Sequence, residues 1–128
     1  MSVVPEDVSR FWFDAGPGKW FKKNELFDQS IVENFGPAVG EALAGGLNGW
    51  GDTPLGSLAL VLLLDQFPRN MWRDDPRAFS GDAKALGIAS GAIARGWDMA
   101  LSEDERHWLY MPFMHSEELE VQQRGLVY

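Results

Sequence analysis

The stretch Thr53-Pro54-Leu55-Gly56-Ser57-Leu58-Ala59-Leu60-Val61-Leu62-Leu63-Leu64-Asp65-Gln66-Phe67-Pro68 decides how the rest of the chain is read. The Thr53 hydroxyl can accept a hydrogen bond from an N–H of a first helical turn, and Pro54 suits the position where a missing N–H does no harm. The apolar run Leu58–Leu64 is short enough to be a buried strand instead of a helix. Leucine and alanine outnumber its β-branched residues and the Thr-Pro start belongs to a helix, so a helix is predicted. Being apolar all round, it must lie at the centre and be covered on most sides. Pro68 should end it near Gln66 or Phe67, because a proline drives the residue before it out of the helical region.

Working outward, every segment keeps the helical period. Pro5 to about Phe13 forms a first helix with Val8, Phe11 and Trp12 on its buried stripe, broken by Gly16-Pro17-Gly18. Asn24 caps a second helix whose apolar face is Leu26, Phe27, Ile31 and Phe35, and Gly36-Pro37 should kink or split it. Asp74-Asp75-Pro76 opens a helix with Phe79, Ala83, Leu86, Ser90, Ile93 and Trp97 on one stripe and Gly96 at its end. Small residues at 85, 87, 89 and 91 would let neighbouring helices approach closely. Ser102 and Glu105 form a capping box, and Pro112 should interrupt or redirect the helix that follows. No strand alternation competes, so the fold class is all-α, with about five to seven helices. Gly49-Trp50 and Gly96-Trp97 form a faint repeat whose spacing suits stacked antiparallel helical hairpins.

The 128 residues fit one domain, 1–128, and 45% hydrophobic with 12% aromatic content sets the chain apart from disordered sequences. The absence of cysteine excludes disulfides, thiolate zinc sites and thiol nucleophiles and favours the cytoplasm. The N-terminus has no basic, apolar leader, and the longest apolar run falls well short of the roughly 20 residues that cross a bilayer. A net charge of −8 argues against nucleic acid and anionic membranes as partners. No Gly-rich phosphate loop, nucleophile elbow or dinucleotide fingerprint is present, so no cofactor is expected.

Polar residues gather at three places. Asp65, Gln66, Arg69 and Asn70 sit at the end of the most buried helix, where unpaired polar groups cost roughly 1–3 kcal/mol each. The simpler reading pairs Asp65 with Arg69 and turns Arg69 toward the helix-end carbonyls. His115 shares a helix face with Leu119 and Gln122, and is read first as a hydrogen-bonded core histidine. Arg77 and Asp82 form the third place, and an inward Asp82 could meet Arg69 or His115 across helices. One histidine among scattered acids is a poor metal signature, so no metal is expected. The tryptophans are read as core, with those near helix ends sending their N–H to carbonyls or water.

Leu-Leu-Leu-Asp-Gln-Phe-Pro-Arg-Asn (62–70), Pro-Arg-Ala-Phe (76–79) with Asp82, and Leu-Tyr-Met-Pro-Phe-Met-His-Ser-Glu (109–117) with Gln122 resemble the bacterial DUF924 family of uncharacterised proteins. The early Phe11-Trp12-Phe13 and Trp20-Phe21 fit as well. The resemblance implies a tetratricopeptide-like stack of antiparallel helices and no assigned activity. Its polar motif positions are Asp65, Gln66, Arg69, Asn70, Arg77, Asp82, His115, Ser116, Glu117 and Gln122. Family members usually continue through further helices, so this chain reads as a shortened version. An apolar face exposed in that way would favour a homodimer.

Two functions are expected from these readings. The first is a helical binding or interaction module, with Arg69, Asn70, Arg77, Ser116, Glu117 and Gln122 as candidate contacts to a peptide or small molecule. The alternative is an acid–base or metal-assisted hydrolase using Asp65, Asp82 and His115. That alternative requires the three side chains to converge.

Overall fold

Thr53 begins the central helix as its chemistry requires, its Oγ1 accepting from the Gly56 N–H at 3.0 Å. This is helix α4, Pro54–Val61, in a computed structural model that describes residues 3–125, with side chains described as far as Ser116. Every residue from Leu58 to Leu64 is at most 1% exposed. The cover comes from α1 (Pro5–Ala15), α6 (Asp82–Ala94) and α7 (Glu103–Gly125), all packed against α4. Short α2 (Pro17–Trp20) and long α3 (Glu25–Ala44) complete the shell, and no strand occurs among the described residues. The protein is all-α.

The central helix does not stop at Pro68. Leu62–Gln66 form a wide π-turn, in which the Phe67 N–H reaches back five residues to the Leu62 carbonyl, and α5 (Phe67–Met71) carries on from it. Pro68 has no N–H for the carbonyl of Leu64, and its ring would press on that carbonyl in a tight α-turn. The extra residue in the turn relieves this pressure. Gly81 lies against the same carbonyl, so close that a Cβ there would overlap Leu64 O.

Two other prolines also fail to break their helices. Pro37 sits inside α3 and Pro112 inside α7. Both Pro37 and Glu33, whose carbonyl loses its donor, are exposed, so water can satisfy that carbonyl. Pro112 is buried, and the packing of α7 on α4 and α6 holds the helix on both sides of it.

Two predicted faces are corrected. Leu26 is 85% exposed; the inner face of α3 is Phe27, Ile31, Phe35, Ala38, Val39 and Ala42. On α6 the buried residues are Ala85, Ala89 and Ala92, whereas Phe79, Ala83 and Ser90 are exposed. Phe79 belongs to a separate 3-10 turn, Pro76–Phe79. Small side chains face inward here because α6 lies close to the leucine-rich α4.

The helix expected to open at Asp74-Asp75-Pro76 instead starts at Asp82, and Asp75 caps only the 3-10 turn before it. Other helix ends are capped as their residues suggest. Asn24 Oδ1 accepts from the Phe27 N–H, the Ser102–Glu105 capping box makes both of its bonds, and Gly45 and Gly96 close α3 and α6 with left-handed φ of 92° and 76°. One end of the core is aromatic. Trp12 meets Trp108 edge-on at 5.0 Å and stacks with Trp20 at 5.9 Å, while the Trp20 Nε1–H donates to the Trp12 carbonyl at 2.8 Å.

Candidate functional site

The π-turn, α5 and the turn that follows place five polar side chains, Asp65, Gln66, Arg69, Asn70 and Arg73, where three other helices converge. Asp65 is the deepest of them, at 1% exposed. A carboxylate so far from water needs charged or hydrogen-bonding partners. Arg69, one turn on, donates from Nη1 to the Asp65 carbonyl at 2.6 Å and to its Oδ1 at 3.3 Å. The same guanidinium spans to Asp82, the first residue of α6, with Nη1 to Oδ1 at 2.8 Å and Nη2 to Oδ2 at 2.9 Å. This two-bond fork fixes the guanidinium plane, and the Phe79 ring lies against it at 5.2 Å.

From α7, His115 brings its Nδ1 to 2.9 Å from Asp65 Oδ1. Asp65 Oδ2 is equally near Nδ1 but off the line of a hydrogen bond, and it has no hydrogen-bond partner among the described residues. A carboxylate accepts, so Nδ1 carries the proton and donates. Nε2 of a neutral ring is then left as an acceptor, on a side chain 12% exposed. The result is a continuous chain of charge-bearing groups, Asp82–Arg69–Asp65–His115, joining α6, the π-turn, α5 and α7.

A second branch leaves the same segment. Asn70, 4% exposed, receives a bond from Gln66 Nε2 at 2.9 Å and gives one from Nδ2 to Asp28 Oδ1 of α3, also at 2.9 Å. Arg73 adds its Nε to Asp28 Oδ2 at 2.6 Å. The hydrogen bond to Asp28 holds Arg73 above the ordinary guanidinium value.

Of the residues singled out from sequence, the fold brings Asp65, Arg69, Asp82 and His115 into one network and ties Asn70 to its neighbour branch. Asp82 turns to Arg69. Arg77, the other half of that sequence pair, faces Asp75 at 2.9 Å and lies over the Trp72 ring on the surface. That exposed pairing pushes Arg77 up and Asp75 down from their ordinary values. Ser116 is half-buried beside His115, and the side chains of Glu117 and Gln122 lie outside the described residues. Asp28 and Arg73 were missed. A signal existed for Asp28, an acid three residues before Ile31 and seven before Phe35, hence on the apolar stripe of α3. Among the described residues, no three His, Asp or Glu side chains gather as metal ligands would. None of the described helices is long and apolar enough to cross a membrane.

A profile of the family described as "Bacterial protein of unknown function (DUF924)" matches residues 8–127. A solved structure of a protein of unknown function from Agrobacterium tumefaciens is similar at 44% identity and a TM-score of 0.86, over 94% of this chain and 68% of that one. No curated protein matches.

Proposed function

Since the chain belongs to the bacterial DUF924 family of proteins of unknown function, we propose its role from its geometry: it is a ligand-binding helical module whose recognition site is the Asp82–Arg69–Asp65–His115 chain. The observation that carries this reading is Asp65 itself, almost wholly buried, flanked by Arg69 and His115, with Oδ2 close to His115 Nδ1 but accepting no hydrogen bond among the described residues. Apolar residues of similar volume would serve stability as well as or better than such a buried ionic group. A buried ionic group that brings no advantage to stability suits a site for a small polar molecule or a peptide end, held by His115 Nε2 with Ser116 beside it. In this reading the hairpins stack in the tetratricopeptide manner and the protein works in the cytoplasm, which the cysteine-free composition favours.

The first test is the melting temperature of His115→Gln, whose amide can still donate to Asp65. A site residue leaves the midpoint unchanged or raises it. A fall of roughly 3–6 °C, the equivalent of about 1 kcal/mol in a domain of this size, would make His115 a core residue and sink the proposal. A thermal-shift screen of metabolites and short peptides on the parent chain then identifies the ligand, since one present at 100 times its Kd adds about 2.7 kcal/mol.

The acid–base reading has its own supporting observation, the 2.9 Å bond from His115 Nδ1 to a buried carboxylate. That bond sets the tautomer and aims Nε2 as a base, and in an enzyme Asp65 would be the positioning residue. Its test is hydrolysis of activated esters. Turnover that falls at least about 100-fold in His115→Gln supports it, and turnover equal to that of the variant removes it.

A further inference from the structure

Lys19-Trp20-Phe21-Lys22-Lys23 stands out in this acidic chain, holding three of its 11 basic residues in five positions. All three lysines are exposed, and none makes an ion pair or side-chain hydrogen bond among the described residues. Between them Phe21 is 68% exposed, and Leu26, a few residues on, is 85% exposed. The segment is not loose. Trp20 is pinned by its bond to the Trp12 carbonyl and by edge contacts to Phe13 and Trp108, at 5.9 and 5.3 Å. Phe21 in turn lies along Trp108 at 6.3 Å with rings nearly parallel. An aromatic held out by a fixed neighbour loses little entropy when something covers it.

We infer that Lys19–Lys23 with Leu26 is a docking surface for an acidic peptide segment that carries a bulky apolar residue. Carboxylates of the segment would meet Lys19, Lys22 and Lys23, while its apolar side chain would lie between Phe21 and Leu26. Charge decides the kind of partner. The other eight basic residues stand against 19 acidic ones, and Asp14 and Glu25 are exposed close to the patch in sequence. A broad anionic surface such as a bilayer would bring its charge within a Debye length, about 8 Å at physiological salt, of those acids. A short peptide can set its carboxylates on the lysines and its uncharged residues beside Glu25. The surface is separate from the His115 network and does not depend on the role proposed for it.

The experiment is fluorescence anisotropy of a short labelled glutamate-rich peptide carrying a Leu-Phe pair, titrated with the full chain. Binding is expected to weaken at least about tenfold when Lys22→Gln and Lys23→Gln are combined, to survive Lys22→Arg with Lys23→Arg, and to fade as salt rises. The same peptide with serines in place of Leu-Phe should bind at least about tenfold more weakly, as should Phe21→Ser. The lysine variants alter only exposed side chains, so they keep the test valid if Phe21→Ser disturbs its contact with Trp108. No binding by the parent, binding unchanged in the Lys→Gln pair, or equal binding of the serine peptide would overturn the proposal. So would lysine-dependent sedimentation with phosphatidylserine vesicles in the absence of peptide binding, which would make the partner a bilayer.

Discussion

At Gly81 the chain passes so close to the Leu64 carbonyl that a methyl group has no room. Gly81→Ala must therefore shift the start of α6, where Asp82 holds Arg69. We expect a loss of about 2–3 kcal/mol in urea unfolding, typical of forced overpacking. A loss under about 0.5 kcal/mol, the level of an ordinary surface change, would mean the contact yields freely. Tyr110 gives a pH-dependent counterpart. Its hydroxyl donates to Asp98 Oδ2 at 2.6 Å, and that bond raises the phenol above its ordinary value. A group raised on folding contributes fully below its unfolded value, about 10 for tyrosine, and loses the contribution as pH climbs through the folded value. Ultraviolet titration should show a phenolate component above about 10 that Tyr110→Phe abolishes. At this scale sequence reading named Asp65, Arg69, Asp82 and His115 from their residue types and neighbours. It could not pair Asp65 with His115, 50 positions apart, because only the packing of α7 on the π-turn brings them together.

Among the helices, the starts at Thr53, Asn24 and Ser102 were legible, whereas the start of α6 at Asp82 and the interior prolines were not. Thr53, Asn24 and Ser102 act through atoms within three residues, so local chemistry is enough to read them. Pro37, Pro68 and Pro112 each sit inside a continuous helical path: water can serve the freed carbonyl at exposed Pro37, the π-turn makes room at Pro68, and packing holds the helix around buried Pro112. Leu26 and the α6 stripe failed for a related reason: periodicity fixes which residues share a face, and the neighbours decide which face is covered. Pro37 offers the clearest test of the element scale. It is exposed, and replacing it by alanine restores an N–H for the Glu33 carbonyl. Pro37→Ala should stabilise the protein by about 1–3 kcal/mol, the helix-interior penalty of proline less its stiffening of the unfolded chain. A midpoint that falls in thermal melts would show that proline is needed at this position.

Across the whole molecule, the polar segment after the central helix binds to α3 through Asp28, to α6 through Asp82 and to α7 through His115. Asp65→Ala should therefore loosen more than one contact. It leaves Arg69 and His115 without their shared partner, for an expected loss of about 3 kcal/mol, as for other broken buried pairs. A double-mutant cycle with His115→Ala checks the coupling, and strictly additive effects would mean that the two side chains act independently. The all-α class and the central place of Leu58–Leu64 were open to sequence reading, because a run apolar on every side has only one environment in which to sit. The π-turn was not, since a turn widened by one residue leaves no mark in composition. That extra residue has a consequence for inheritance. A helix works as a screw thread, and dropping one of the three consecutive leucine codons at 62–64 would return the thread to its regular pitch. The widened turn absorbs the cut, so Asp65, Arg69 and Asn70 would keep nearly their facing. The cost would fall on Pro68, whose ring would then press on the carbonyl one turn before it. A deletion that looks harmless in a string of leucines would take away the room that a proline several residues on depends on.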